Sequence, residues 1–106
     1  MQYFSTRGAG PATLDEALVK GIAADGGLFL PQKLPQFSGD EFAGANSIPD
    51  VAEKLLAPIV AGSILRDDLH AILAETFSFP IPVTPLPAGQ VSARLLELYH
   101  GPTAAF

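Results

Sequence analysis

The sequence predicts a small α+β domain, about three helices packed with short strands that lie near both ends of the chain. Three observations carry this. Apolar residues recur at helical spacing in three separate stretches, while short β-favouring runs flank them. Ten Gly and ten Pro punctuate 106 residues, which keeps every element short. An apolar fraction of 48% supports one modest core, and a chain this size buries a little over ~60% of its unfolded surface, so its stability margin is narrow.

Gln2 to Thr6 reads as a strand, since Tyr3, Phe4 and Thr6 favour the pleated backbone, and Gly8-Ala9-Gly10-Pro11 ends it. Thr13 followed by Glu16 is a capping box: the Thr hydroxyl accepts the N3 amide while the Glu carboxylate reaches back to the Thr13 amide. Leu14, Ala17, Leu18 and Ile22 then give a helix with Gly21 inside it, at a cost of about 1 kcal/mol relative to Ala. Asp25-Gly26-Gly27 is expected to stop that helix, and Leu28-Phe29-Leu30 to follow as a short buried strand closed by Pro31.

Residues 32–46 read as a loop, with one helical turn available at Gly39-Asp40-Glu41-Phe42. Ser47 is the expected cap of a second helix striped by Ile48, Val51, Ala52, Leu55 and Leu56, with Pro49 and Asp50 suited to its first turn. Pro58 should end or kink it near Ala57, leaving at most one further turn before Gly62. A third helix is expected from about Leu65 to Phe77, with Asp67 and Asp68 in its first turn complementing the dipole. Phe79 to Pro87 holds four prolines, an extended connector, and Ser92 to Tyr99 is the next strand, apolar enough to be buried. The domain division is therefore 1–82, then 83–106 as linker and first strand and loop of a following domain. A strand that runs into Gly101-Pro102 and ends on Phe106 lacks a capping element, so these residues are expected to be the front of a longer protein.

Composition excludes several classes. Six basic residues against eleven acidic ones give a net charge of −5, and no two basic residues are adjacent, so phosphate-neutralising clusters for nucleic acid are missing. No basic segment precedes an apolar run at the N-terminus, and Pro58 and Gly62 break the longest apolar stretches, so neither a signal peptide nor a membrane span is expected. Without Cys there is no disulfide framework or thiol chemistry. A cytoplasmic protein is the default expectation.

No self-sufficient active site is evident. His70 and His100 stand thirty residues apart without metal-ligand spacing, and His70 reads as a surface histidine flanking a helical stripe. Asp25-Gly26-Gly27 closes a helix, whereas glycine-rich phosphate cradles open one. Arg7, between Thr6 and Gly8, has two readings: a guanidinium fork for phosphate or carboxylate, or a strand end whose Arg pairs with an acidic side chain. His100-Gly101-Pro102-Thr103 is the strongest candidate, a loop at the carboxyl end of a strand where α/β sheets place ligands; the alternative is a turn that merely positions the next residue.

Three ordered blocks bear a family resemblance. Leu96-Glu97-Leu98-Tyr99-His100-Gly101-Pro102-Thr103-Ala104-Ala105-Phe106 resembles the threonine synthase signature LELFHGPTxAF, with Ala104-Ala105 where the family often has Leu-Ala. Tyr3-Phe4-Ser5-Thr6-Arg7-Gly8 is similar to its opening Y-x-S-T-R-G, and Glu16 to Pro31 to its E-A-V-x-x-G-L-A-x-D-G-G-L-Y-x-P. The resemblance implies a pyridoxal phosphate (PLP) enzyme that converts O-phosphohomoserine and water to threonine and phosphate, a carbon–oxygen lyase of threonine biosynthesis. It implies that the Schiff-base lysine comes immediately after Phe106, so that residues 1–106 contain no catalytic residue, bind no PLP alone and are inactive. Residues 83–106 would then begin the PLP-dependent domain, and the partner of 1–82 would be that domain of the same polypeptide. Arg7, His100, Gly101 and Thr103 are the expected cleft residues, with no metal. Two alternatives stay open: a related threonine-synthase-like PLP-dependent phospho-lyase, and a free-standing, non-enzymatic interaction module.

Overall fold

A computed structural model describes residues 1–87 and 93–101. Along the chain run β1 (Tyr3–Ser5), α1 (Leu14–Lys20), β2 (Phe29–Pro31), a 3-10 turn (Gly39–Phe42), α2 (Ile48–Val60), α3 (Leu69–Thr76), β3 (Val83–Pro85) and β4 (Arg94–Leu96). Strand β1 pairs antiparallel with β2, Tyr3 opposite Pro31 and Ser5 opposite Phe29. Strand β3 pairs antiparallel with β4, Val83 opposite Leu96 and Pro85 opposite Arg94. Among the described residues, three helices with two small sheets near the two ends are the α+β arrangement expected.

The starts of α1 and α2 follow their capping chemistry. Thr13 Oγ1 accepts the Glu16 amide at 3.1 Å and Glu16 Oε2 accepts the Thr13 amide at 2.9 Å. Ser47 and Asp50 repeat this reciprocal pair at α2, with Pro49 in the first turn. Ala52 and Val60 of α2 and Leu69 and Leu73 of α3 form the core, with Leu14, Leu56 and Phe77 packed against it. The Ser63 hydroxyl, in the turn between α2 and α3, donates to the Asp15 carboxylate and ties α1 to the helical pair.

Several expectations are corrected. Gly21 lies at the end of α1 as its cap, with φ of 68°, and its amide bonds the Ala17 carbonyl at 2.9 Å. The helix stops there because glycine reaches a left-handed conformation that a side chain resists. Asp25-Gly26-Gly27 is instead the tip of a tight turn closed by the Ile22–Leu28 bridge and by the Ala23 amide on the Gly27 carbonyl. The strand that follows is not buried, for Leu28 and Leu30 are largely exposed.

Helix α2, by contrast, passes through Pro58 and ends at Val60, within the one further turn allowed before Gly62. Lys54 and Pro58 both face solvent, where a carbonyl deprived of its amide partner can be hydrated. Helix α3 begins at Leu69 rather than Leu65, because turns occupy the residues after Val60 and Ser63 Oγ accepts the Leu65 amide. Asp67 therefore lies ahead of the helix, and Asp68 caps it without a side-chain hydrogen bond. The proline connector is extended as expected, yet Val83–Pro85 is one strand of a hairpin, and its partner β4 is exposed rather than buried. Ser92 lies outside the described residues.

The core is shallow. Among the described residues no large side chain is fully buried. The radius of gyration is 17.3 Å, against about 13 Å for a compact domain of similar length.

Candidate functional site

Two clusters gather the residues singled out by sequence, and among the described residues no hydrogen bond joins them. The first centres on Asp25. Its carboxylate accepts the Ser5 hydroxyl at 2.6 Å, the Ala9 amide at 2.9 Å and the Gly27 amide at 3.0 Å. The Ser5 hydroxyl, led by its short bond, and the Gly27 amide hold the Asp25 carboxyl below the usual carboxylate range, against the effect of burial. The turn at Gly26-Gly27 is built for close approach: a Cβ at Gly27 would stand 3.0 Å from the Arg7 amide nitrogen and would collide with the Ser5 hydroxyl.

Arg7 stands on this cluster. Its Nη1 donates to the Asp25 carbonyl at 3.1 Å, and a Cβ at Gly26 would sit 3.0 Å from that nitrogen. Among the described residues Arg7 thus pairs with no acidic side chain, and the neighbouring Asp25 carboxylate is taken by Ser5, Ala9 and Gly27. Its neighbouring hydroxyls are occupied too, Thr6 Oγ1 accepting the Leu28 amide at 3.0 Å. The guanidinium is solvent-facing and held from one side.

The second cluster centres on Glu97 at the end of the hairpin. Its carboxylate accepts the Thr84 hydroxyl at 2.6 Å and the Tyr99 hydroxyl at 2.8 Å, and His100 Nε2 lies 2.7 Å away. Thr84 first, then His100 and Tyr99, pull the Glu97 carboxyl down to about 2, and the same contact raises the Tyr99 phenol. The Tyr99 and His100 rings stand 4.6 Å apart. Gly101 packs on the Phe79 ring so closely that a Cβ would lie 2.6 Å from Phe79 Cε1. Thr103 lies outside the described residues.

Sequence reasoning missed Asp25, Glu97, Thr84 and Phe79 as organisers. For Asp25 a signal existed, because Asp two residues before a glycine amide is the Asx-turn pattern. Glu97 shares the two-residue period of an extended chain with Tyr99, which puts both side chains on one face. Nothing local pointed to Thr84 or Phe79, whose partners are distant in sequence. His70 is a surface residue as expected, 3.1 Å from Glu53.

The described residues do not build a PLP site. Arg7 donates to a carbonyl and His100 faces a carboxylate, while Lys20, Lys33 and Lys54 are exposed on separate segments. A phosphate cradle needs donors that converge, and these do not. A cleft of about 560 Å³ between the amino terminus and residues 32–36 is lined by none of Arg7, His100 and Gly101. Among the described residues no cluster of His, Asp and Glu is arranged to hold a metal ion, and no helix is long and apolar enough to cross a membrane.

The fold and its two clusters define a small α+β module with a glycine-tipped Asp25 turn and a carboxylate-tied loop after its last hairpin. The chain belongs to the family described as the threonine synthase N terminus, which matches residues 2–77. It is 40% identical over 111 residues to the threonine synthase of Pseudomonas aeruginosa, covering 100% of this chain and 24% of that protein. It is 35% identical over 112 residues to human threonine synthase-like 2, covering 100% of this chain and 23% of the relative. Among solved structures it is similar to the PLP-bound threonine synthase of Brucella melitensis, with a TM-score of 0.76 and 37% identity, covering 96% of this chain and 23% of that one. The chain thus spans about a quarter of the length of the relatives it matches.

Proposed function

We propose that these residues serve as the N-terminal module of a cytoplasmic, PLP-dependent threonine synthase that turns O-phosphohomoserine and water into threonine and phosphate. The observation that carries this is the family match over residues 2–77, supported by the likeness to the PLP-bound Brucella enzyme. When bound, PLP supplies an electron sink for lyase chemistry. This chain's part is to shape the surroundings. Residues 1–82 form the module, and 83–106 begin the PLP-binding domain, whose sheet the β3–β4 hairpin would join. An isolated hairpin exposed on both faces is marginal in water, so a larger sheet is the environment it suits.

In this reading Arg7 offers its solvent-facing guanidinium to an anionic group at the cleft. His100 and Gly101, with Thr103 beyond them, orient the segment that comes next, with Glu97 and Phe79 fixing the first two. The residues themselves carry no chemical step. A second reading, a threonine-synthase-like PLP-dependent phospho-lyase, is favoured by the 35% identity to human threonine synthase-like 2 over the whole chain.

The test is release of phosphate and threonine from O-phosphohomoserine by the full-length gene product, with PLP present. Equal formation of both supports the first reading; phosphate without threonine supports the second. The 106-residue chain alone is expected to give neither product and no saturable PLP absorbance change. Saturable binding of PLP by the short chain, at cofactor levels that leave surface lysines unreacted, would overturn the assignment of a purely structural role.

A further inference from the structure

The surface formed by α1 and β2 is apolar and uncovered among the described residues. Val19 is 89% exposed, Leu28 61%, Ile22 59% and Leu18 57%. Ile22 is bridged to Leu28, so the end of α1 and the start of β2 form one continuous patch. Leu18, Leu28 and Leu30 rim a groove of about 410 Å³ over Tyr3, Leu14 and Ala17, and among the described residues no charged one lines it. Scattered apolar side chains on a surface are ordinary, but a contiguous patch around a groove marks an interaction surface.

We propose that this α1–β2 face is the docking surface for the remainder of the same polypeptide, which seats an apolar segment in the groove. The inference deepens the reading above and rests on it. The family relatives carry this module in chains about four times as long, the module covering 24% of the Pseudomonas enzyme. A tethered partner acts at millimolar effective concentration, an advantage that a second copy lacks. Each copy also carries a net charge of −5, which disfavours self-association. The groove lining fixes the occupant's chemistry as aliphatic or aromatic.

The test compares Leu28→Glu, at a residue that lines the groove, in the full-length gene product and in the 106-residue chain by thermal unfolding. A glutamate at an exposed position should shift the short chain's midpoint by less than about 2 °C, and a glutamate forced into an apolar contact should lower the full-length midpoint by roughly 5 °C or more. Equal shifts in both lengths would overturn the proposal. Leu28→Cys, labelled with a maleimide in the full-length protein and read by peptide mass, is an independent measure. Labelling about tenfold slower in the native than in the unfolded protein supports docking, and equal rates overturn it. A short chain that sediments as a dimer, and as a monomer after Leu28→Glu, would assign the face to a second copy and also overturn it. Wild-type activity is read separately: protection of Leu28 with neither threonine nor phosphate formed leaves the surface standing and removes the enzymatic reading.

Discussion

The Ser5 hydroxyl donates to the Asp25 carboxylate at 2.6 Å across twenty residues of sequence, joining the end of β1 to the glycine turn before β2. The same carboxylate holds the Ala9 and Gly27 amides, so one side chain organises the loop that carries Arg7. Its folded carboxyl titrates below the ordinary Asp range. The stability it contributes is therefore fully present above the unfolded value near pH ~3.9 and is lost as pH falls through the lowered folded value. Asp25→Asn should lower the midpoint at neutral pH and flatten the acid limb of stability against pH. Thermal unfolding from about pH 7 down to about pH 2 measures both. An unchanged acid limb would show that the turn does not depend on this carboxylate.

Glycines at the two ends of the same segment separate backbone from packing effects. Gly27 adjoins Ser5, Thr6 and Arg7 with no room for a Cβ, so Gly27→Ala should cost about 2 kcal/mol or more. Gly21 has open space around it but a φ of 68°, so Gly21→Ala should cost about 1 kcal/mol through conformation alone. A mid-helix Gly21 would give the opposite sign, since alanine stabilises a helix interior. Urea unfolding of the two variants decides the matter, and a stabilised Gly21→Ala would contradict the cap.

Leu73 is the most buried core residue, 3% exposed, on the face of α3 that meets Ala52 and Val60 of α2. Leu73→Ala should cost about 2–4 kcal/mol. In a domain of narrow margin that is a midpoint drop of roughly 10 °C or more. Ile72, one residue earlier and 39% exposed, should lose less on substitution by alanine, about 1 kcal/mol. Circular dichroism melts of both variants test whether this core supports the module.

The starts of α1 and α2 were legible because their signals are local, whereas α3, which has no side-chain cap, begins four residues later than its apolar pattern suggests. Thr13 with Glu16 and Ser47 with Asp50 close their reciprocal bonds within three residues, so spacing alone locates them. Gly21 was misplaced because the apolar period continues to Ile22, although Ile22 is recruited by Leu28 across the turn. The exposure of β2 and β4 could not be read from Leu28-Phe29-Leu30 or Leu95-Leu96. Apolar strands state that they prefer burial, and only the remaining structure decides what covers them. Among the site residues, Arg7 and His100 stood out by type, whereas the partners that fix them became visible only in three dimensions.

The Glu97 cluster offers the sharpest electrostatic test, because one carboxylate holds Thr84, Tyr99 and His100 together. Its carboxyl is pulled down to about 2, while the unfolded value lies near ~4.3. The hairpin stabilisation it provides is thus complete above that unfolded value and disappears as pH falls through about 2. Conversely, the bond from Tyr99 to the carboxylate favours the neutral phenol and raises its titration. Glu97→Gln removes the negative charge, so Tyr99 should titrate at lower pH than in the unmodified chain. Tyr3, the other tyrosine, is raised by burial at a site far along the sequence and should not move, which gives an internal reference. Phenolate absorbance through the alkaline range reads both tyrosines. If Tyr99 titrates unchanged while Tyr3 holds steady, the contact is not made in solution. The loop after the hairpin would then have to be positioned by Phe79 against Gly101 alone.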